Sequence, residues 1–118
     1  MIENIEDPLA HALVAWVSPS AGGRASGPPK APVYAATSVP VLGAEAQMQP
    51  GWPAASEQLS ILLQREACLP GGFWLCKLDF LVREPAMPFT RPGAVFLIME
   101  GPKVVAGAVI TDVLPKKA

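Results

Sequence analysis

The stretch CLPGGFWLCKLDFLVREPAMPFTRPGAVFLIMEGPKVVAGAVITDVL, from Cys68 to Leu114, decides the fold class. Apolar residues take alternate positions in Phe73–Val82, as in a strand that is buried on one face. Ala94–Met99 and Lys103–Val113 follow Arg-Pro-Gly and Glu-Gly-Pro turns, and both are rich in β-branched and other apolar residues. The sequence therefore predicts three consecutive strands.

The alternation in the first of these strands also assigns its faces. Trp74 and Val82 belong to the apolar face, together with Cys76, whereas Lys77 and Asp79 belong to the opposite face. Cys76 is then a small core residue. We expect the two charged side chains to point away from the core.

The preceding half of the chain carries weaker strand patterns. His11–Ser18 is predicted as the first strand, with helix as the alternative, and Val33–Ser38 and Val39–Ala44 follow a long Gly-Pro-Ser loop. Glu57–Ala67 fits a strand or a helix, because its leucines also have helical spacing. We assign it to strand, since Leu69–Gly72 then forms a hairpin turn into the next strand.

Composition supports one small β domain. The chain has 118 residues, 51% of them hydrophobic, with 14 prolines and 10 glycines, which indicates many turns and few long helices. About six short strands suggest a barrel or a sandwich, and closure into a barrel removes exposed edges. We predict a barrel domain over residues 9–115, a flexible arm over 1–8 and a tail over 116–118.

Charge and cysteine content narrow the class of function. The net charge is −1, so the basic excess of a non-specific nucleic-acid binder is missing. Cys68 and Cys76 make no disulfide framework, and one histidine with two cysteines predicts no metal site. No signal-peptide pattern or apolar run of about 20 residues is present. We expect a cytoplasmic protein without a cofactor or a membrane contact.

The turns also follow an order found in a known family. Ser20–Arg24 is a Gly-Gly-Arg turn, Ala31–Tyr34 enters a strand through proline, and Leu69–Gly72 is a Pro-Gly turn. Gly93–Ile110 then contains an apolar strand, a Glu-Gly turn and a Val-Ala-Gly-Ala-Val run. In this order the chain resembles the C-terminal (third) domain of translation elongation factor Tu, here as a stand-alone domain.

The resemblance implies a six-stranded antiparallel β-barrel and a surface that contacts tRNA and an exchange factor. Arg24 matches the family pattern, but Ala25-Ser26 stands where the family has His-Thr. Ala31, preceded by Lys30, replaces an arginine, and Pro102-Lys103 replaces Gly-Arg. The tRNA surface is thus kept in part. No phosphate-binding loop is present, so no nucleotide is expected.

Six residues are the candidates for binding a partner or RNA. They are Gly22, Gly23, Arg24, Lys30, Trp52 and Lys103. The glycine pair either permits positive φ in a turn or forms an anion nest, and Arg24 either binds a partner or is a solvated loop residue. Trp52 either anchors a partner or covers one end of the barrel, whereas Trp16 and Trp74 belong to the core.

A catalytic group of residues is not evident. His11 is predicted to be a residue on the surface of a strand. Asp79 and Glu84 are single carboxylates that do not form an evident acid/base pair. We therefore predict a non-enzymatic binding module that contacts a protein partner. A residual RNA-binding role is the alternative, and the apolar faces of the first strand leave self-association open.

Overall fold

Six alternating apolar segments form strands in the computed structural model, which describes residues 3–43, 47–53 and 57–115. The strands β1 to β6 span Ala10–Trp16, Tyr34–Pro40, Leu59–Cys68, Trp74–Phe80, Val95–Glu100 and Lys103–Val113. In the described parts of the connections, three short 3-10 helices lie at Pro19–Ala21, Pro70–Gly72 and Glu84–Phe89.

The six strands form one closed barrel in the order β1-β4-β3-β2-β5-β6. Every neighbouring pair is antiparallel. Closure depends on β1, where Val14 lies opposite Trp74 of β4 on one side and Ala108 of β6 on the other. The predicted all-β fold with a six-stranded antiparallel barrel is therefore confirmed.

The barrel interior is filled by side chains of complementary size. Ala12 on β1 and Ala106 and Ala108 on β6 are fully buried, and their small size leaves room for Phe96. The Phe96 ring packs against Phe80 with a centroid distance of 5.4 Å. Register shifts between β1 and β6, β3 and β4, and β5 and β6 mark bulges, which bend strands as a small barrel requires.

Glu57–Ala67 was predicted as a strand, and the structure confirms this with β3. Ile61 and Leu63 face the interior, whereas Leu62 belongs to a small separate cluster with Ile5 and Val33. Burial on both faces of β3 explains why its leucines also fit a helical spacing. The backbone N–H of Leu69 donates to the Phe73 carbonyl (2.7 Å), which closes the predicted hairpin turn.

The segment before β1 lies against the barrel. Ile5 is buried at 5% exposure, and its backbone N–H donates to Oε1 of Gln64 on β3 (2.7 Å). Lys77 Nζ donates to the Ile5 carbonyl (3.2 Å). The predicted arm 1–8 thus has described residues packed beside β3 and β4, whereas residues 1–2 and the predicted tail 116–118 lie outside the described residues.

The structure corrects the end of the predicted strand Phe73–Val82. β4 ends at Phe80, so Val82 is 61% exposed and does not belong to the core face. Asp79 lies on the face predicted for it, opposite Leu62 and away from the core, but it is buried there because Arg83 covers it with two hydrogen bonds, Nε–Oδ1 at 2.9 Å and Nη2–Oδ2 at 2.7 Å.

The predicted strands Val33–Ser38 and Val39–Ala44 are also incorrect as two elements. They correspond to one strand, β2, which continues through Val39 to Pro40. Residues 41–43 are not in a strand, and residue 44 lies outside the described residues. Pro40 has no N–H to donate, which is consistent with its place at the end of the strand.

Antiparallel pairing gives the barrel two distinct ends. One end is formed where β1, β3 and β5 begin and β2, β4 and β6 finish, and the other is formed by the opposite termini. The helix Glu84–Phe89 covers the first end, since its Ala86 is fully buried and Phe89 packs against the core. Among the described residues, no helix combines the length and apolar character that a bilayer crossing requires.

Truncation of Phe96 should show how far the interior sets stability. We expect Phe96→Ala to lower the free energy of unfolding by about 3–5 kcal/mol, because it leaves a cavity in the barrel. Phe73, which is 45% exposed, is the matched control, and Phe73→Ala should cost about 1 kcal/mol or less. Urea denaturation followed by tryptophan fluorescence measures both. Equal losses in the two variants would contradict the barrel interior described here.

Candidate functional site

The turn after β1 requires both glycines of the Gly-Gly-Arg sequence. Gly22 has φ of 96°, which disfavours other residues. A Cβ on Gly23 would lie 1.9 Å from the Val17 carbonyl oxygen. Their backbone N–H groups donate within the turn, from Gly22 to Pro19 (3.2 Å) and from Gly23 to Ser18 (2.9 Å). The amides are therefore used inside the turn, and the glycines direct the chain towards Arg24.

Arg24 is held by an ion pair and not free in solvent. Its Nε donates to Oε2 of Glu100 (2.7 Å), and its Nη1 donates to the Gly27 carbonyl (2.6 Å). The guanidinium carbon also lies 5.5 Å from the centroid of the Tyr34 ring. The Tyr34 hydroxyl donates to the same carboxylate. Arg24 thus fastens the loop after β1 to the end of β5.

These contacts change the acidity of two groups. The Tyr34 hydrogen bond, followed by the Arg24 contacts, lowers the pKa of Glu100. Burial, followed by the hydrogen bond to Glu100, raises the pKa of Tyr34. At neutral pH the carboxylate is charged and the phenol is neutral, which is the pairing that the hydrogen bond needs.

Aromatic rings continue from Tyr34 across this end of the barrel. Trp16 packs edge-on against Tyr34 and Trp74, with centroid distances of 5.4 and 5.1 Å. Both tryptophans are partly buried against the core, as their strand phase predicts. The guanidinium of Arg65 lies over Trp74, 5.0 Å from the ring centroid. Trp16 Nε1 is buried without a hydrogen-bond partner within the described residues.

The structure brings three of the predicted cations to the same end. Lys103 pairs with Glu100 across the β5–β6 hairpin, next to Arg24, and Lys30 lies on the loop that precedes β2. Arg65, which was not among the candidates predicted from the sequence, lies at the same end, near the end of β3. We call Arg24, Lys30, Arg65 and Lys103 the cationic end.

Trp52 lies at the opposite end of the barrel. It lines a cavity of about 90 Å³ with Leu42, Leu59 and Phe89, so it contacts the region that the helix Glu84–Phe89 covers. The covering role predicted for Trp52 fits this position, and the anchoring role stays a prediction. The structure therefore does not bring Trp52 together with the other predicted residues.

Exposed apolar side chains are concentrated at this end, and one of them, Leu42, lines the same cavity as Trp52. Among the described residues, six of the eight large hydrophobic side chains that are exposed lie in the connections here or at the end of β6. They are Leu42, Met48, Leu81, Val82, Met87 and Val113. We call these six residues the apolar end. The other two exposed hydrophobic residues, Phe73 and Val109, lie elsewhere on the barrel.

Polar side chains outside the cationic end and the apolar end also have structural contacts. His11 lies between two carboxylates, with Nε2 3.2 Å from Glu66 Oε1 and Nδ1 3.1 Å from Asp112 Oδ2. This contact lowers the pKa of Asp112. In the described part of the chain, no group of three His, Cys, Asp or Glu residues has an arrangement that would hold a metal ion.

The thiols and the buried carboxylate likewise have no evident chemistry. Burial, followed by the nearby charge of Glu66, raises the pKa of Cys76 to about 12, so this thiol stays protonated at neutral pH. Cys68 is an exposed free thiol. Asp79 is engaged by Arg83, whose pKa its hydrogen bonds raise further.

Comparison with protein-family models, curated proteins and solved structures gives no significant match for this chain. The resemblance to the third domain of elongation factor Tu therefore stays a hypothesis.

A substitution in the Gly-Gly turn tests the close approach at Gly23. We expect Gly23→Ala to lower the free energy of unfolding by about 2 kcal/mol or more, because the new methyl group would collide with backbone atoms. Gly107 on β6 has open space around its Cβ position, so Gly107→Ala should be neutral or stabilise by about 0.5–1 kcal/mol. Chemical denaturation compares the two variants, and a harmless Gly23→Ala would contradict the turn geometry.

The Glu100 cluster should contribute a pH-dependent part of the stability. Because the folded-state pKa of Glu100 is lowered, its contribution is present above the ordinary value of 4.5 and is lost as the pH falls through the folded-state pKa. Glu100→Gln should therefore be less stable than the native protein at pH 7, and the difference should shrink towards pH ~3. Urea titrations across this range measure it. Glu6→Gln is the control, since Glu6 is exposed, and a constant Glu100→Gln deficit would contradict the cluster.

Proposed function

We propose that this protein is a non-enzymatic binding module that contacts a protein partner through the apolar end. The main support is the exposure of apolar side chains at that end, where Leu81 is 65%, Leu42 60% and Met48 82% exposed. Large apolar patches are uncommon on isolated soluble domains and often mark protein interfaces. Methionine, which supplies two of the six side chains, is also enriched at interfaces.

The shape of the apolar end supports the same proposal. A groove of about 280 Å³ runs beside Phe89 and Leu42, and another of about 380 Å³ lies between Met87 and Val113. Trp52 lies beside the first groove, and tryptophan is enriched among the residues that contribute most to interface affinity. The helix Glu84–Phe89 separates the grooves and fixes their walls, because its Ala86 is anchored in the core.

A residual RNA-binding role is the second candidate, and the cationic end is the observation that favours it. Four basic side chains and two partly buried tryptophans gather there, although the chain as a whole carries a net charge of −1. Arg24 is already paired with Glu100, and Lys103 lies beside the same carboxylate. The charge available for phosphate is therefore smaller than the number of cations suggests.

Affinity capture from an extract of the native cell tests the proposal. The immobilised protein should retain a partner that survives nuclease treatment and moderate salt, because apolar contacts depend little on ionic strength. Leu81→Glu and Met48→Glu should abolish retention, since each places a charge on the apolar end. Val109→Glu, on the barrel wall and 41% exposed, is the matched control and should retain the partner.

Two outcomes of the capture would contradict the apolar-end interface. Loss of the partner on nuclease treatment, or its release between about 50 and 200 mM salt, would favour the RNA role. Equal retention by Leu81→Glu and the native protein would place the interface elsewhere. Light scattering of the purified protein shows whether the partner is a second copy of this chain.

A further inference from the structure

A second groove lies at the cationic end, away from the apolar end. It has a volume of about 510 Å³ and runs between the loop 28–32 and the wall formed by the second half of β3 and the start of β4. Its wall on the loop side is Pro28, Pro29 and Pro32 with Lys30 between them. The opposite wall carries Gln64, Arg65 and Trp74. We call this site the proline-walled groove.

The groove contains two cationic side chains for which the described residues provide no carboxylate partner. Lys30 and Arg65 are both exposed, and neither makes an ion pair within residues 3–43, 47–53 and 57–115. Arg24 and Arg83, in contrast, are each paired with a carboxylate at 2.7 Å. None of the described residues that line the groove is acidic. The uncompensated charge therefore favours an anionic occupant.

Both walls are fixed before any ligand binds. Arg65 stacks on Trp74, which in turn packs against Trp16, so the guanidinium has a defined position. The prolines restrict the backbone of the loop 28–32, which forms the other wall. Arg24 holds the segment that leads into this loop. Its Nη1 donates to the Gly27 carbonyl, and its own carbonyl accepts from the Gly27 N–H (3.0 Å). A preorganised site loses less entropy when it binds.

We propose that the proline-walled groove binds an acidic segment of a protein, with Lys30 and Arg65 each contacting a carboxylate. Binding to single-stranded nucleic acid uses open aromatic faces on which bases stack. Here Arg65 covers a face of Trp74, and Trp16 packs edge-on against the same ring. The groove also holds two cations and not the continuous basic track that a phosphate backbone needs.

This site lies at the opposite end of the barrel from the proposed apolar interface. An experiment can therefore contradict one of the two proposals without contradicting the other. Fluorescence anisotropy with the intact protein tests it, using a labelled peptide of alternating Glu and Ala. The same peptide with Gln in place of Glu, and a labelled single-stranded RNA of similar length, are the comparison probes. The acidic peptide should bind, and the glutamine peptide should bind at least about tenfold more weakly.

Variants identify the groove as the site of binding. Lys30→Gln and Arg65→Gln should each weaken binding of the acidic peptide by about three- to tenfold, because each removes one charge-assisted contact. Arg91→Gln, an exposed cation at the other end of the barrel, should leave binding unchanged. Equal thermal melting curves show that the variants fold. The indole N–H signal of Trp74 should shift on titration with the acidic peptide.

Three results would overturn the proposal. One is equal binding of the acidic and glutamine peptides. Another is unchanged binding in both Lys30→Gln and Arg65→Gln. The third is tighter binding of the RNA than of the acidic peptide, with the RNA affinity lost in the same two variants, which would assign the groove to nucleic acid.

Discussion

The pairing of β1 on both of its edges is the constraint on which the rest of the structure depends. Val14 has a partner on β4 and another on β6, so the sheet closes and leaves no strand edge along the wall. Closure over six strands leaves a narrow interior, which is why β1 and β6 contribute alanines beside Phe96. Only at the two ends of the barrel are side chains free of the inside–outside alternation that the paired strands impose.

The two ends differ in chemistry because different residues follow the strands at each of them. At one end Glu100 joins Arg24 and Tyr34, and the rings of Trp16 and Trp74 continue the contact towards Arg65. At the other end a short helix covers the core and leaves apolar side chains exposed. The barrel wall thus holds two chemically different surfaces apart, and the two proposals above each use one of them.

The fold was largely predictable from the sequence, because β4 alternates apolar and polar residues and the apolar runs of β5 and β6 are bounded by turn residues. The burial of Asp79 was not predicted, since its partner, Arg83, lies beyond the end of the strand. The leucines of β3 were ambiguous because Leu62 is covered from outside by Ile5, a contact between distant parts of the chain. Local pattern carries no information about such a contact.

The candidate site was predictable only in part. Arg24 and Lys103 are in turns that the sequence singles out, but their common partner Glu100 depends on the closure of the barrel. The stacking of Arg65 on Trp74 depends on the β3–β4 register, which a bulge after Arg65 shifts. No short-range signal sets that register. Trp52 follows a long connection whose course the sequence does not specify.

Hydrogen exchange of the β1 amides, measured by NMR, tests the closed barrel most directly. If β1 pairs with both β4 and β6, the N–H groups of residues 11–15 should all exchange slowly, whichever neighbour they face. In an open sheet, alternate residues of this segment would exchange as fast as the exposed loop residue Ala25. That alternating result would contradict closure, and with it the separation of the two ends.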